Sequence, residues 1–147
     1  MHMEMNALDD VESQVLDLAN QAIGHQAGGD YRQAAQRWAQ AIALADTGMH
    51  DDEIRYWLRS GIADAHYRLG QDEACIAAAR EARDWCRHHQ APLAALLLGQ
   101  ALYRSGRVQA ALEALEEARS MIGAEFLDAI DHVHRDAIAE LMTARAA

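Results

Sequence analysis

Three glycines set the frame of this 147-residue chain. Five residues after each of Gly29, Gly70 and Gly106 begins a triplet with a small residue at either end: Ala34, Trp38, Ala41, then Cys75, Ala79, Ala82, then Ala111, Leu115, Ala118. Seven residues before each glycine stands another small residue, Ala22, Ala63 or Gly99. Spacings of three, four and seven place residues on one face of a helix. Small residues on that face let two helices cross closely, and glycine is the common residue just past a helix end. Each glycine therefore marks the turn of a helical hairpin, and the hairpin recurs three times, at steps of 41 and 36 residues.

Apolar periodicity fills in the helices. Val11, Val15, Leu18, Ala19, Ala22 and Ile23 predict a helix over about 10–27, preceded by a tail at 1–9 and capped by Asp9 and Asp10. Asp30 stands three residues before Gln33, a capping-box spacing, and opens a second helix that runs to about Ala45. Asp51 and Asp52 open a third helix that Gly70 closes, and 71–88 reads as a fourth. Pro92 suits the first turn of a fifth, Gly106 closes it, and a sixth runs to about Ile122. After Gly123 a continuous helix over 124–146 presents Phe126, Leu127, Ile130, Val133, Ala137, Ile138 and Leu141 on one face. The predicted class is all-α, one domain of about seven helices, with pairs at 10–46, 51–90 and 92–122 and a cap at 124–146. Connections are short, apart from a looped insertion around Thr47 to Asp52.

Composition narrows the function classes. The formal charge is −10, with no basic tail or stripe, and every one of the 13 cationic side chains is Arg. A duplex or an anionic membrane demands a Lys/Arg footprint, so neither is an expected partner, and a basic protein suits this surface better. Cys75 and Cys86 fall in one predicted helix, about 16 Å apart along its axis, too far to bridge each other. The first residues are acidic where a signal peptide is basic, and no window is long and apolar enough to span a bilayer, so a soluble cytoplasmic protein is expected.

The histidines give no catalytic or metal site. His25 and His66 are one repeat step apart and read as half-buried packing residues, while His88 and His89 sit at a helix end, where positive charge is favourable. His132 and His134 on one helix would point about 160° apart and could not share a metal. No zinc-protease, Cys-x-x-Cys, nucleophile-elbow or phosphate-loop motif occurs, so neither enzyme activity nor a cofactor is expected.

The stretch LGQALYRSGRVQAALEALEEA resembles the tetratricopeptide repeat, and GIADAHYRLGQDEACIAAAREA and ANQAIGHQAGGDYRQAAQRWAQA are looser copies of it. Resemblance to that family covers about residues 10–122, with longer steps than the usual 34 or so and without the family's terminal prolines. It implies a right-handed superhelical stack of antiparallel helix pairs, with the first helix of each pair lining a concave groove for another protein or peptide. On the second pair the implied groove residues are Trp57, Ser60, Asp64, Tyr67 and Arg68. On the third they are Leu93, Leu96, Gln100, Tyr103 and Arg104, and the repeated Tyr-Arg pair fits either a ligand role or the family consensus. The family's carboxylate clamp is absent, because Ala19, Ile23, Gly61, Leu93 and Leu97 stand at the matching places. Leu16, Ile23, Leu93 and Leu96 make the groove apolar towards its ends, which suits an amphipathic or extended apolar segment. The expected function is therefore an adaptor. The alternatives are a dedicated one-partner chaperone, an acidic inhibitor of a basic protein, or a structural homo-oligomer.

Overall fold

The computed structural model describes the backbone of residues 2–50 and 52–147, and the side chains of 10–50 and 53–147. Its first hairpin joins α1 (His2–Ala27) to α2 (Tyr31–Gly48), its second α3 (Asp52–Arg68) to α4 (Asp72–His88), and its third α5 (Leu93–Arg104) to α6 (Val108–Ile122). A 3-10 turn at Gly123–Glu125, a one-turn helix α7 (Phe126–Ala129) and α8 (Arg135–Ala146) follow. Seven helices thus have twelve or more residues, and no strand occurs among the described residues.

The hairpin turns repeat one geometry. Gly29, Gly70 and Gly106 take φ of 82°, 74° and 86°, a left-handed backbone that glycine adopts without a Cβ penalty. The next residue closes the helix end with the same N–H···O=C bond each time: Asp30 to His25 at 2.8 Å, Gln71 to His66 at 2.9 Å, Arg107 to Leu102 at 2.9 Å. Asp30 also caps α2, its Oδ1 accepting from the Gln33 N–H at 3.2 Å.

From α1 to α7 each helix packs on the next, α8 packs on α6, and α3 also meets α5, giving a solenoid-like stack of pairs. The small residues sit where the helices cross. All nine triplet residues are buried, as are Ala22 and Ala63. A Cβ on Gly99 would lie 2.5 Å from Leu115 Cγ, and one on Gly61 would lie 2.6 Å from the Trp38 ring, so both glycines are required by close approach. Cys75 and Cys86 are free and buried, and burial pushes both thiols up, that of Cys75 to about 12.

Three boundaries differ from the sequence reading. The expected tail is helical from His2, where α1 starts, because Met, Glu, Ala and Leu continue the helix and no Gly or Pro interrupts it. Asp9 and Asp10 are therefore interior helix positions; the side chains of Asp9, Asp51 and Asp52 lie outside the described residues. The expected insertion at 47–52 is shorter, since α2 runs through Thr47 and Gly48, buried Met49 packs on the first core and α3 starts at Asp52.

The third difference is the cap. No single helix spans 124–146; the chain breaks at Ile130, which is extended at φ −79° and ψ 138°. That break buries Phe126, Ile130, Ile138 and Met142 against α5 and α6, while Leu127 and Val133 stay 41% and 69% exposed and Ala137 also faces out. Gln100 Oε1 accepts the Asp131 N–H at 2.8 Å and Arg135 Nη2 donates to the Ile130 carbonyl at 3.0 Å, so side chains satisfy the freed backbone groups.

Candidate functional site

Ile23 of α1, Trp57 and Asp64 of α3, and Leu93 and Gln100 of α5 line adjoining cavities on one face. Thirteen residues before each turn glycine come Leu16, Trp57 and Leu93, and six before it come Ile23, Asp64 and Gln100. Eight of the ten expected groove residues line two adjoining cavities there, which share Asp64 and Leu93.

The first cavity, of about 230 Å³, is mainly apolar. Ile23 of α1 and Leu93 of α5 stand at its rim, 45% and 39% exposed, with Trp57 of α3 between them. Trp57 is fixed edge-to-face on Trp38, ring centroids 5.6 Å apart at 85°. Beneath lies a polar chain that the sequence reading missed: Trp38 Nε1 donates to Gln26 Oε1 at 2.5 Å, and Gln26 Nε2 donates to Asp64 Oδ2 at 2.6 Å. Gln26 lies three residues before its turn glycine, where the second and third pairs carry Tyr67 and Tyr103, and that register is the signal that would have found it. Ser60 lines this cavity but is buried, its hydroxyl donating to the Trp57 carbonyl at 2.6 Å, so it acts as a wall.

The second cavity, of about 280 Å³, is polar and is closed by the chain's own segment 129–135. Buried Tyr67 donates its hydroxyl to Asp131 Oδ2 at 3.2 Å. Burial, then the Asp131 carboxylate, raises the Tyr67 phenol to about 12. Gln100, 3% exposed, spends its carbonyl oxygen on Asp131 and its NH₂ on the Leu96 carbonyl. Asp131 is held below the ordinary carboxylate range, first by the Val133 N–H and also by the Tyr67 hydroxyl. Arg68, 52% exposed on its side chain, reaches Asp64 only at 3.6 Å.

Tyr103 and Arg104 are the two expected residues outside these cavities. Tyr103 meets the His134 ring at 5.3 Å, so His134 packs in the turn before α8. Arg104 is an internal clasp and not a free recognition group. Its guanidinium lies 4.1 Å from the Tyr67 ring centroid, donates to the Tyr67 carbonyl at 2.8 Å and pairs with Asp72 at 2.6 Å. A further hollow of about 410 Å³ lies away from this face, between α6, α7 and α8, floored by Phe126 and Met142.

His25 and His66 are half-buried, the latter hydrogen-bonded to Gln71 at 2.7 Å. Among the described residues no three of His, Cys, Asp and Glu are placed to hold a metal ion. No helix among them is long and apolar enough to cross a membrane. No protein-family model matches the chain, and a search of curated proteins returns no match.

Proposed function

We propose that this chain is a cytoplasmic interaction module of the tetratricopeptide type, right-handed in its stacking, that holds a segment of a partner protein on the face made by α1, α3 and α5. One observation carries the reading: exposed Ile23 and Leu93, from the first and third pairs, flank a Trp57 ring fixed by Trp38, in an open cavity. A tryptophan held rigid in a partly desolvated hollow is among the side chains most often found at a binding hot spot. The carboxylate of this cavity, Asp64, is engaged by Gln26 and faced by Arg68, and the exposed groups beside it are apolar, so the proposed role is binding without catalysis. Neither nucleic acid nor membrane is a partner in this reading.

The dedicated-inhibitor alternative has the −10 charge in its favour. Capture from extract of the source cells, at low and high salt, separates the two. The adaptor reading predicts a partner lost in an Ile23→Ser/Leu93→Ser double variant and little affected by salt. A partner that the double variant retains and high salt releases would place binding on the acidic outer surface instead.

A further inference from the structure

Asp64 is the carboxylate common to both cavities, and its bonding is incomplete. One oxygen accepts from Gln26 at 2.6 Å; the other has Arg68 Nε at 3.6 Å, beyond a charge-assisted hydrogen bond. The Asp64 side chain is only 25% exposed, so that oxygen has limited access to water while keeping unused acceptor capacity. Arg68 sits over it as an exposed side chain, 52% accessible and free to swing away. Arg135, the other arginine lining these cavities, donates Nη2 to the carbonyls of Asp128 and Ile130, and Arg104, outside them, is paired with Asp72.

Charge and shape then define the complement. The chain carries a formal charge of −10, a field that concentrates cationic segments and repels anionic ones. Exposed Glu12 precedes Leu16 by one helical turn, which extends the negative character along the α1 edge of the same face. The cavity between Ile23, Trp57 and Leu93 has room for one large side chain directly beside Asp64.

We infer that the occupant is a basic amphipathic segment: a bulky aliphatic or aromatic residue seated between Ile23, Trp57 and Leu93, and a neighbouring Arg or Lys that displaces Arg68 from Asp64. This deepens the groove reading above and rests on it. The basic residue donates to the oxygen that Arg68 leaves underused, and the apolar residue excludes water from that bond.

The test uses the full chain and tryptophan fluorescence, titrated with three synthetic helical peptides of equal length: leucine/lysine amphipathic, leucine/glutamate in the same pattern, and serine/lysine with no apolar face. The leucine/lysine peptide is expected to bind, to weaken about tenfold or more with Asp64→Asn, and to be lost with Leu93→Ser. Asp64→Asn keeps an oxygen for Gln26, and Leu93 is partly exposed, so both variants are expected to fold, which circular dichroism checks. Equal, Leu93-dependent binding of the leucine/glutamate peptide would overturn the basic preference and leave the groove standing. Equal binding of the serine/lysine peptide, indifferent to Leu93→Ser, would overturn both by moving the contact to the acidic outer surface. Silence from all three peptides, or no effect of Asp64→Asn, would overturn the inference alone.

Discussion

Arg68 and Arg104 follow a tyrosine at the same place, two residues before a turn glycine, yet only Arg104 is clasped. Their partners differ because the preceding repeat differs. Arg104 reaches back to Asp72, two residues past Gly70, and lies over Tyr67; the equivalent places for Arg68 are Tyr31 and Gln26, which offer neither a carboxylate nor a ring at the needed positions. Arg104→Ala should therefore cost about 1–3 kcal/mol of stability, since it removes charge-assisted bonds to Asp72 and a carbonyl, whereas Arg68→Ala should stay within about 0.5 kcal/mol. Urea midpoints of the two variants give the comparison directly. Tyr67 supplies a pH signature. Its phenol is raised from 10.0 to about 12 by burial and by Asp131, so the folded chain retains that proton. Its contribution to stability is complete below pH 10 and falls as pH rises from 10 to about 12. Absorbance titration should show a late-ionising tyrosine that disappears in Tyr67→Phe.

At the scale of elements, glycine packing gives a paired test. Gly99→Ala places a methyl 2.5 Å from Leu115 at the α5–α6 crossing and should destabilise by about 1–3 kcal/mol. Gly24→Ala, in α1 with nothing within 4 Å of its new Cβ, should stabilise by about 0.5–1 kcal/mol. Thermal melts with opposite shifts would verify both. The hairpins were legible from sequence because their determinants are local: a left-handed glycine, a following cap and small residues in fixed register. The break at Ile130 was not legible. Residues 129–135 contain no Gly or Pro, and the break exists only because α5 supplies Gln100 and the α5–α6 surface buries Ile130. Helical periodicity accordingly placed Val133 and Ala137 on a buried face that the broken chain leaves exposed. Five of the expected site residues, Trp57, Asp64, Arg68, Leu93 and Leu96, line the two cavities without being buried, while Ser60, Tyr67 and Gln100 are buried walls and the Tyr103–Arg104 pair is drawn into internal contacts. Side-chain partners across repeats decided those cases, and periodicity does not encode them.

Across the whole molecule, ion pairs join the pairs of helices into a stack. Arg59 of α3 bonds Asp46 of α2 at 2.7 Å and Glu81 of α4 at 2.6 Å, and Glu117 of α6 takes Arg83 and Arg87 of α4 at 2.8 and 2.5 Å. Arg59 and Glu117, at 14% and 16% side-chain exposure, are partly buried, and their pairs fix how α3 sits between α2 and α4 and how α4 sits against α6. In the proposed reading, recognition rests on Trp57, Ile23, Leu93 and Asp64. The most direct measurement is photo-crosslinking in cells, with a photoreactive residue placed at Leu93 on the groove rim or at exposed Arg80 on α4. A partner captured from position 93 and not from position 80 is the predicted result; capture from position 80 with none from 93 would contradict a binding site on the α1–α3–α5 face.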